Sequence, residues 1–78
     1  MRFHINPDTD VPKYKQVLSE IETRILDGTL KKGTHLPSMT DIATDTGMSK
    51  ETVKRALVPL RNKGYIASCP GKGYDVSR

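Results

Sequence analysis

The 78-residue sequence has little cysteine and no long apolar stretch, and each shortage excludes a class of protein. Its single cysteine, Cys69, cannot form an intramolecular disulfide, whereas small secreted domains usually depend on several such bonds. No apolar run approaches the roughly 20 residues that a transmembrane helix needs. The opening residues, MRFHINPDTD, lack the charged start and the apolar middle of a secretory signal peptide. We therefore expect a soluble protein of the reducing cytoplasm, without a membrane partner.

Residues suited to catalysis or metal binding are also scarce. A domain of this size buries only about 60% of the surface that its unfolded chain exposes, which leaves little room for a deep catalytic cleft. The two histidines, His4 and His35, have no Cys, Asp or Glu at metal-ligand spacing, and Cys69 has no partner histidine in a recognisable site. No acid and base pair and no activated nucleophile can be identified. The sequence therefore predicts no metal, no cofactor and no enzymatic activity.

Positive charge is present, and it is concentrated in the second half of the chain. The formal net charge is +4. Residues 1–46 hold six Lys/Arg and seven Asp/Glu, a net of −1, whereas residues 47–78 hold seven against two, a net of +5. An asymmetry of this kind is expected of a domain that binds phosphates. The charge distribution therefore indicates a polyanionic partner.

The first half of the chain contains one clear helical pattern. Residues 2–5 alternate between polar and apolar and predict a short strand. A helix is expected to begin near Pro12, with Asp10 as its candidate N-cap, and to end at Gly28. The segment 29–37 is too rich in glycine and proline to be helical. The apolar stripe of the first helix consists of Tyr14, Val17, Leu18, Ile21 and Ile25.

Two further helices are expected on either side of a short turn. The second begins at Ser38, which resembles a capping box with Asp41, and ends at Gly47, a residue that readily takes the left-handed conformation. Ser49 then caps a third helix, which runs from about residue 50 to residue 63. Two helices joined by about three residues that include a glycine are typical of the helix-turn-helix motif.

The third helix has two different faces. Its apolar residues fall at i, i+3, i+4 and i+7 and form a stripe that must face a core: Val53, Ala56, Leu57 and Leu60. The other positions of its first turn and a half are long, polar and mostly positive: Lys50, Glu51, Thr52, Lys54 and Arg55. Taken alone, this second face has two interpretations, a solvated surface or a contact with a partner.

The chain is expected to finish with a β-hairpin. The third helix contains Pro59 and should end at Gly64. Residues 65–68 and 73–77 then alternate like two strands, and the sequence CPGK between them has turn chemistry. The predicted fold class is mainly α with a small β-hairpin, in the order of three helices followed by two strands.

Four segments match the pattern of a known family in order and spacing: PKYKQVLSEI, GTLKKGTHLPSMTDIA, GMSKETVKRALVPLRNKGYI and GKGYDV. They cover nearly the whole chain, which resembles the N-terminal winged helix-turn-helix domain of GntR-type bacterial transcription regulators. The resemblance implies that residues 1–78 form a domain that binds double-stranded DNA sequence-specifically. The third helix would enter the major groove, and the hairpin, or wing, would reach towards the minor groove.

The resemblance also implies how the whole regulator is assembled and which residues contact DNA. A C-terminal effector-binding domain, absent from this chain, would make the full-length protein a homodimer on a pseudo-palindromic operator. DNA contacts would come from the third helix, one position of the second helix and the wing: Ser49, Lys50, Glu51, Thr52, Lys54, Thr40, Gly71, Lys72 and Gly73.

The chain departs from the family pattern at two places. Met39 and Thr40 replace the usual Glu-Arg, so a hydroxyl takes the place of a guanidinium that clamps DNA. Lys50 and Lys54 occupy positions where arginine is common, and a lysine lacks the planar fork that suits bidentate contacts. The family's operator preference therefore cannot be transferred to this chain.

Several candidate contacts have a structural interpretation as well. Ser38 and Ser49 are expected to be helix caps first, and a cap hydroxyl at a helix N-terminus can also meet a phosphate. Lys50 and Lys54 are ordinary surface lysines in isolation, but their place in the motif favours contact with phosphate or guanine. Arg55 faces either the DNA backbone or water, and the sequence leaves both open.

Glu51 and the wing residues 71–73 have structural interpretations as well. Glu51 either accepts a hydrogen bond from cytosine N4 or restrains a neighbouring lysine. Gly71, Lys72 and Gly73 lack the third glycine of a dinucleotide-binding loop and open no helix, so they are interpreted as a turn that carries a cation. For the domain as a whole, the alternative is a winged-helix module whose basic helix docks an acidic protein partner.

Overall fold

The computed structural model describes residues 3–71 and 73–78 of the chain. Within these ranges, three helices precede two strands: α1 (Lys13–Leu26), α2 (Met39–Thr46), α3 (Lys50–Asn62), β1 (Ile66–Cys69) and β2 (Gly73–Val76). The predicted order of elements is confirmed, and the two strands pair antiparallel as a hairpin.

The helices and the hairpin enclose one apolar core. The apolar stripe of α3 is 1% exposed or less throughout, and Val17, Ile21 and Ile25 of α1 are also buried. Both stripes are therefore confirmed as core faces, although Tyr14 and Leu18 are only partly buried. The other elements complete the core with Phe3, Leu36, Ile42, Ile66, Tyr74 and Val76.

The segment before α2 extends the hairpin along the free edge of β2. The N–H of Leu36 donates to the carbonyl of Tyr74 at 2.9 Å, and the N–H of Gly33 donates to that of Val76 at 2.7 Å. His35 forms an isolated antiparallel bridge with Asp75. The non-helical segment 29–37 is thus partly strand-like, which attaches the wing to the body of the domain.

Short helices α2 and α3 both begin at serine caps, as predicted. The Oγ of Ser38 accepts a hydrogen bond from the N–H of Asp41 at 3.1 Å, and the Oγ of Ser49 accepts one from the N–H of Thr52 at 3.2 Å. Each bond satisfies one of the N–H groups that have no partner inside the helix. Gly47 ends α2 with a φ of 72°, in the left-handed region that favours glycine.

The prediction of Asp10 as the cap of α1 is wrong. Pro12 occupies the N-cap position, and no side chain caps this helix. The extended backbone of Pro12, with a ψ of 148°, directs its carbonyl towards the helix, where it accepts from the N–H groups of Lys15 and Gln16. Asp10 lies two residues upstream, outside the cap.

Element ends differ from the predictions by one or two residues. Helix α1 ends at Leu26, before Gly28, and α3 ends at Asn62 with Lys63 as its C-cap, one residue before Gly64. Strand β1 is shifted by one residue, and β2 ends at Val76. Beyond α1, hydrogen bonds from Thr29 hold the pKa of the Asp27 carboxyl below its ordinary value of 3.8 and close the turn.

The N-terminal strand prediction is also wrong for residues 3–5, and residue 2 lies outside the described residues. The backbone of this segment pairs with side chains: the N–H of Phe3 donates to Asp45 Oδ2 at 3.0 Å, and the N–H of His4 donates to Glu20 Oε1 at 3.2 Å. The polar and apolar alternation arises because the Phe3 ring enters the core while its neighbour His4 stays exposed.

Candidate nucleic-acid interface

The turn between α2 and α3 brings their ends together and fixes the start of α3. Gly47 reverses the chain, and its N–H donates to the carbonyl of Ala43 at 2.9 Å. Ile42 of α2 and Val53 of α3 are both buried in the common core. The backbone turn, the cap at Ser49 and the shared core together orient α3, so that its first two turns form one edge of the domain.

The polar face of α3 is exposed in its N-terminal half. Lys50, Glu51, Lys54 and Arg55 are all exposed, as the sequence predicts. Thr52 is half-buried, and its hydroxyl lies 2.9 Å from the Oγ of Ser49 and takes part in the cap. Among the described residues, the three cations of this face form no ion pair with a carboxylate, so their charge is available to a partner.

At the other end of α3 a cation is paired within the domain. The Nζ of Lys63 lies 3.8 Å from Glu22 Oε2 of α1. Of the four cations within α3, three lie in its first two turns and one, Arg61, lies in its last turn.

Arg55 contacts α1, which neither of its two predicted environments included. Its guanidinium carbon lies 5.6 Å from the centroid of the Tyr14 ring. Sequence reasoning assigned Tyr14 to the core stripe alone, but the ring is only partly buried. The signal that could have identified this contact is the position of Tyr14 at the N-terminal end of its stripe, where a tyrosine can present one face of its ring to solvent.

Lys13 is a second residue of α1 that sequence reasoning missed. Its Nζ donates to the carbonyl of Thr46, the last residue of α2, at 3.4 Å. A cation is favourable there, because the final carbonyl groups of a helix lack partners and carry partial negative charge. The first turn of α1 therefore contacts both helices of the helix-turn-helix motif.

The N-terminal end of α2 presents the two other predicted polar residues. Ser38 and Thr40 are both exposed, whereas Met39 between them packs partly against the core. Ser38 is a cap, and the carbonyl of Thr40 accepts from the hydroxyl of Thr44 at 2.9 Å. The hydroxyls of Ser38 and Thr40 lie at a helix N-terminus, where backbone N–H groups favour an anion.

The two glycines of the wing turn have positive φ values, which glycine adopts more readily than other residues. Gly71 and Gly73 have φ values of 76° and 92°, and Lys72 between them lies outside the described residues. Within the wing, Asp75 accepts a hydrogen bond from the Cys69 thiol at 3.1 Å and contacts His35 Nδ1 at 2.6 Å. These three residues are close because their strands pair, and their spacing in the sequence does not predict this cluster.

The described residues also bear on metal binding and on membrane insertion. No group of three or more His, Cys, Asp or Glu is placed there to hold a metal ion. In the same residues no helix has both the length and the apolar character needed to cross a bilayer.

A helix-turn-helix that is followed by a two-stranded wing and shares one core with it defines a winged helix-turn-helix domain. Residues 13–76 match the family model described as bacterial regulatory proteins of the gntR family. The chain belongs to the GntR family.

Known relatives and solved structures agree with this assignment. The HTH-type transcriptional repressor NagR of Bacillus subtilis is 35% identical over 75 residues, which are 96% of this chain and 31% of NagR. This chain thus spans less than a third of that relative. YtrA from Sulfolobus acidocaldarius, a GntR-family transcription factor, superposes with a TM-score of 0.86 at 31% identity, covering 100% of this chain and 82% of that structure.

A second similar structure contains operator DNA. The AraR(DBD) chain, solved in complex with operator ORE1, superposes with a TM-score of 0.80 at 26% identity, covering 99% of this chain and 94% of that one. The two chains have nearly the same extent, so a unit of this size with this fold occurs in a solved protein–operator complex.

Proposed function

We propose that this chain is the sequence-specific DNA-binding domain of a bacterial transcription regulator. The observation that carries the proposal is the exposed basic face in the first half of α3, next to the helix-turn-helix turn. The opposite face of α3 is buried, so this face is the one that α3 offers to a partner. The AraR(DBD) complex with its operator supports DNA as that partner.

In this proposal α3 enters the major groove. A helix of 13 residues is about 20 Å long and, with its side chains, about 10–12 Å across, which fits a groove about 12 Å wide. Lys50 and Lys54 are one turn apart and lie on the same side of the helix, where they bind phosphates or guanine. Glu51, at the same end, accepts from cytosine N4, and Ser49 and Thr52 contact the backbone next to their cap.

The flanking elements contact the sugar-phosphate backbone. Ser38 and Thr40 direct their hydroxyls and the N-terminal N–H groups of α2 at a phosphate. Gly71, Lys72 and Gly73 of the wing reach the adjacent minor groove, where a cation is attracted by the phosphates on both sides. These contacts supply affinity, and specificity comes from the base edges that α3 meets.

We extend the proposal to the whole regulator, of which this chain is the N-terminal domain. NagR is about three times as long as the segment that this chain matches, which leaves room for a further domain. A C-terminal effector-binding domain would join two copies in a homodimer. Each copy would then occupy one half of a pseudo-palindromic operator.

The decisive measurement is the salt dependence of binding to random-sequence duplex DNA, followed by fluorescence anisotropy. Each phosphate contact contributes about −0.9 to the slope of log K against log salt, so the three cations in the first two turns of α3, Lys50, Lys54 and Arg55, give about −2.7 before Lys72 of the wing is added. Affinity should therefore fall at least about 40-fold between about 50 and about 200 mM salt. If duplex DNA is not bound and an acidic protein is, the protein-docking alternative is correct. If duplex DNA is bound, selection of the genomic fragments that the chain retains shows whether binding is sequence-specific.

One variant locates the interface in the same assay. Lys54→Ala should weaken binding to all duplexes alike and reduce the magnitude of the salt slope by about 1, because counterion release does not depend on sequence. Lys63→Ala is the matched control, since Lys63 lies at the far end of α3 beside Glu22. An unchanged slope for Lys54→Ala would remove this residue from the interface.

A further inference from the structure

We propose that Tyr14 is a positioning residue for DNA binding: its ring holds the Arg55 guanidinium in place to bind a phosphate at the flank of the major groove. The inference rests on the proposed function and adds to it a residue of α1. Tyr14 itself acts through Arg55 and makes no contact with DNA.

The position of α1 makes this role possible. Its first turn lies against the helix-turn-helix motif at two points, where Lys13 Nζ reaches the last carbonyl of α2 and the Tyr14 ring reaches Arg55. The two contacts come from consecutive residues and lead to the two helices of the motif. The N-terminal end of α1 is thus beside the edge of the domain that carries the basic face.

Arg55 reaches a different part of the DNA from its basic neighbour. Consecutive residues of an α-helix differ in direction by about 100°, so Lys54 and Arg55 point to different sides of α3. Arg55 lies on the side that faces α1, as its contact with Tyr14 shows. With α3 in the groove, the DNA strand on the α1 side is the one within reach of Arg55.

The chemistry of the pair suits a phosphate contact. A guanidinium within about 6 Å of a ring centroid is attracted by the negative face of the ring. The contact with the ring uses no acceptor atom, and a guanidinium carries five N–H donors, so donors remain for phosphate oxygens. A long exposed side chain that is already held in one orientation loses less freedom when it binds.

Four variants of the 78-residue chain test the inference by anisotropy with a random-sequence duplex of about 20 base pairs. Arg55→Gln should reduce the magnitude of the salt slope by about 0.9. Tyr14→Leu should weaken binding about two- to five-fold, because the freed Arg55 side chain must then be ordered when it binds. Tyr14→Phe keeps the ring and should bind like the wild type. In the Arg55→Gln background, Tyr14→Leu should have no further effect.

A matched control comes from a second stack of the same kind. The guanidinium carbon of Arg78 lies 4.8 Å from the Tyr65 ring centroid, beyond the C-terminal end of α3. Arg78→Gln removes the same charge from the same type of contact and should leave the slope unchanged. Thermal unfolding of each variant shows whether Tyr14→Leu remains folded. If it does not, Tyr14→Met replaces it, because a flexible methionine fills irregular space and still removes the aromatic face, and it should bind about two- to five-fold more weakly.

Three results would overturn the inference: an unchanged slope for Arg55→Gln, an equal loss from Tyr14→Leu in both backgrounds, or an equal loss from Tyr14→Phe and Tyr14→Leu. Where Tyr14→Met replaces Tyr14→Leu, its binding at wild-type strength would overturn the inference as well. Each of these leaves the proposed function intact as long as the wild-type chain binds duplex DNA with a steep salt dependence. Failure of the wild type to bind would instead reject the proposed function.

Discussion

Ser49 has the hydrogen-bonding capacity for two roles at the start of α3. A hydroxyl carries one donor and two acceptor positions. The Oγ of Ser49 accepts from the N–H of Thr52 at 3.2 Å and shares a second bond with the Thr52 hydroxyl at 2.9 Å. When Thr52 is the donor in that second bond, the Ser49 proton remains available to a phosphate oxygen. The cap and the DNA contact are therefore compatible at one side chain.

The two roles of Ser49 can be separated by one substitution. Aspartate caps helices about as well as serine, so Ser49→Asp should keep the melting temperature within a few degrees of the wild type. Its negative charge next to a phosphate should nevertheless weaken duplex binding. Ser49→Ala is the comparison, because it removes the cap and should cost about 1 kcal/mol of stability in urea unfolding. Unimpaired binding by Ser49→Asp would place Ser49 away from the phosphates.

Leu57 illustrates how closely stability depends on single core residues. It is 1% exposed, so Leu57→Ala leaves a cavity and should cost about 2–5 kcal/mol in the free energy of unfolding. Domains have only about 5–15 kcal/mol in total, so the variant is expected to be close to unfolding. Val58→Ala, at the next and only half-buried position, is the control and should cost less. Equal losses at both positions in denaturant unfolding would contradict the orientation of α3.

At the scale of elements, the sequence predicts those parts that depend on local signals. Helices α2 and α3 both have serine caps, α2 ends at a glycine and α3 has a clear apolar period, and each of these signals lies within a few residues along the chain. Element ends were less accurate, because a proline can provide the N-cap without a side-chain bond, as Pro12 does. Segment 33–36 was missed as a strand-like partner, since its pairing with β2 joins residues about 40 positions apart.

The candidate site shows the same division between local and long-range information. The exposed polar face of α3 follows from helical periodicity, and the structure agrees with it. The contacts of Lys13 and Tyr14 with the motif required the packing of α1 against α3, which no sequence spacing specifies. The cluster around Asp75 likewise depends on strand register.

The turn between α2 and α3 has a conformation that favours glycine. Gly47 has a φ of 72°, and a Cβ built there would meet only Lys13 Nζ at 3.7 Å, an ordinary contact. Gly47→Ala should therefore lose stability through backbone strain rather than through a clash, by about 1–2 kcal/mol in urea unfolding. Gly47→Asn should lose less, because asparagine tolerates the left-handed region better. An alanine variant as stable as the wild type would contradict this turn geometry.

At the scale of the whole molecule, most of the large apolar side chains are buried in one core. Among the described residues, the exposed large hydrophobic side chains are Val11 and Leu26. Leu26 lies in a shallow groove with the half-buried side chains of Leu18 and Pro59, and Val11 lies among polar residues on another part of the surface. Small apolar areas of this kind are normal on monomeric proteins. The described surface thus offers charge to a polyanion and little to a second copy of the chain.

We therefore expect the 78-residue chain to be a monomer at micromolar concentration and to bind a single half-site weakly. Two tethered copies should bind a palindromic site tighter by about 10²–10⁴-fold, because the second contact becomes intramolecular. Half-sites one helical turn apart are about 35 Å from each other, a distance that a flexible Gly/Ser linker of about 40 residues matches.

Sedimentation of the single and the tethered chain measures the oligomeric state, and titration with the palindromic duplex measures the affinity of each. The duplex for this test carries two copies of the half-site that the single chain selects. If the tethered copies bind it no better than one copy does, the two domains cannot engage neighbouring half-sites. A tight dimer without DNA would reveal an interface around Val11 or Leu26 that is stronger than their exposed area suggests.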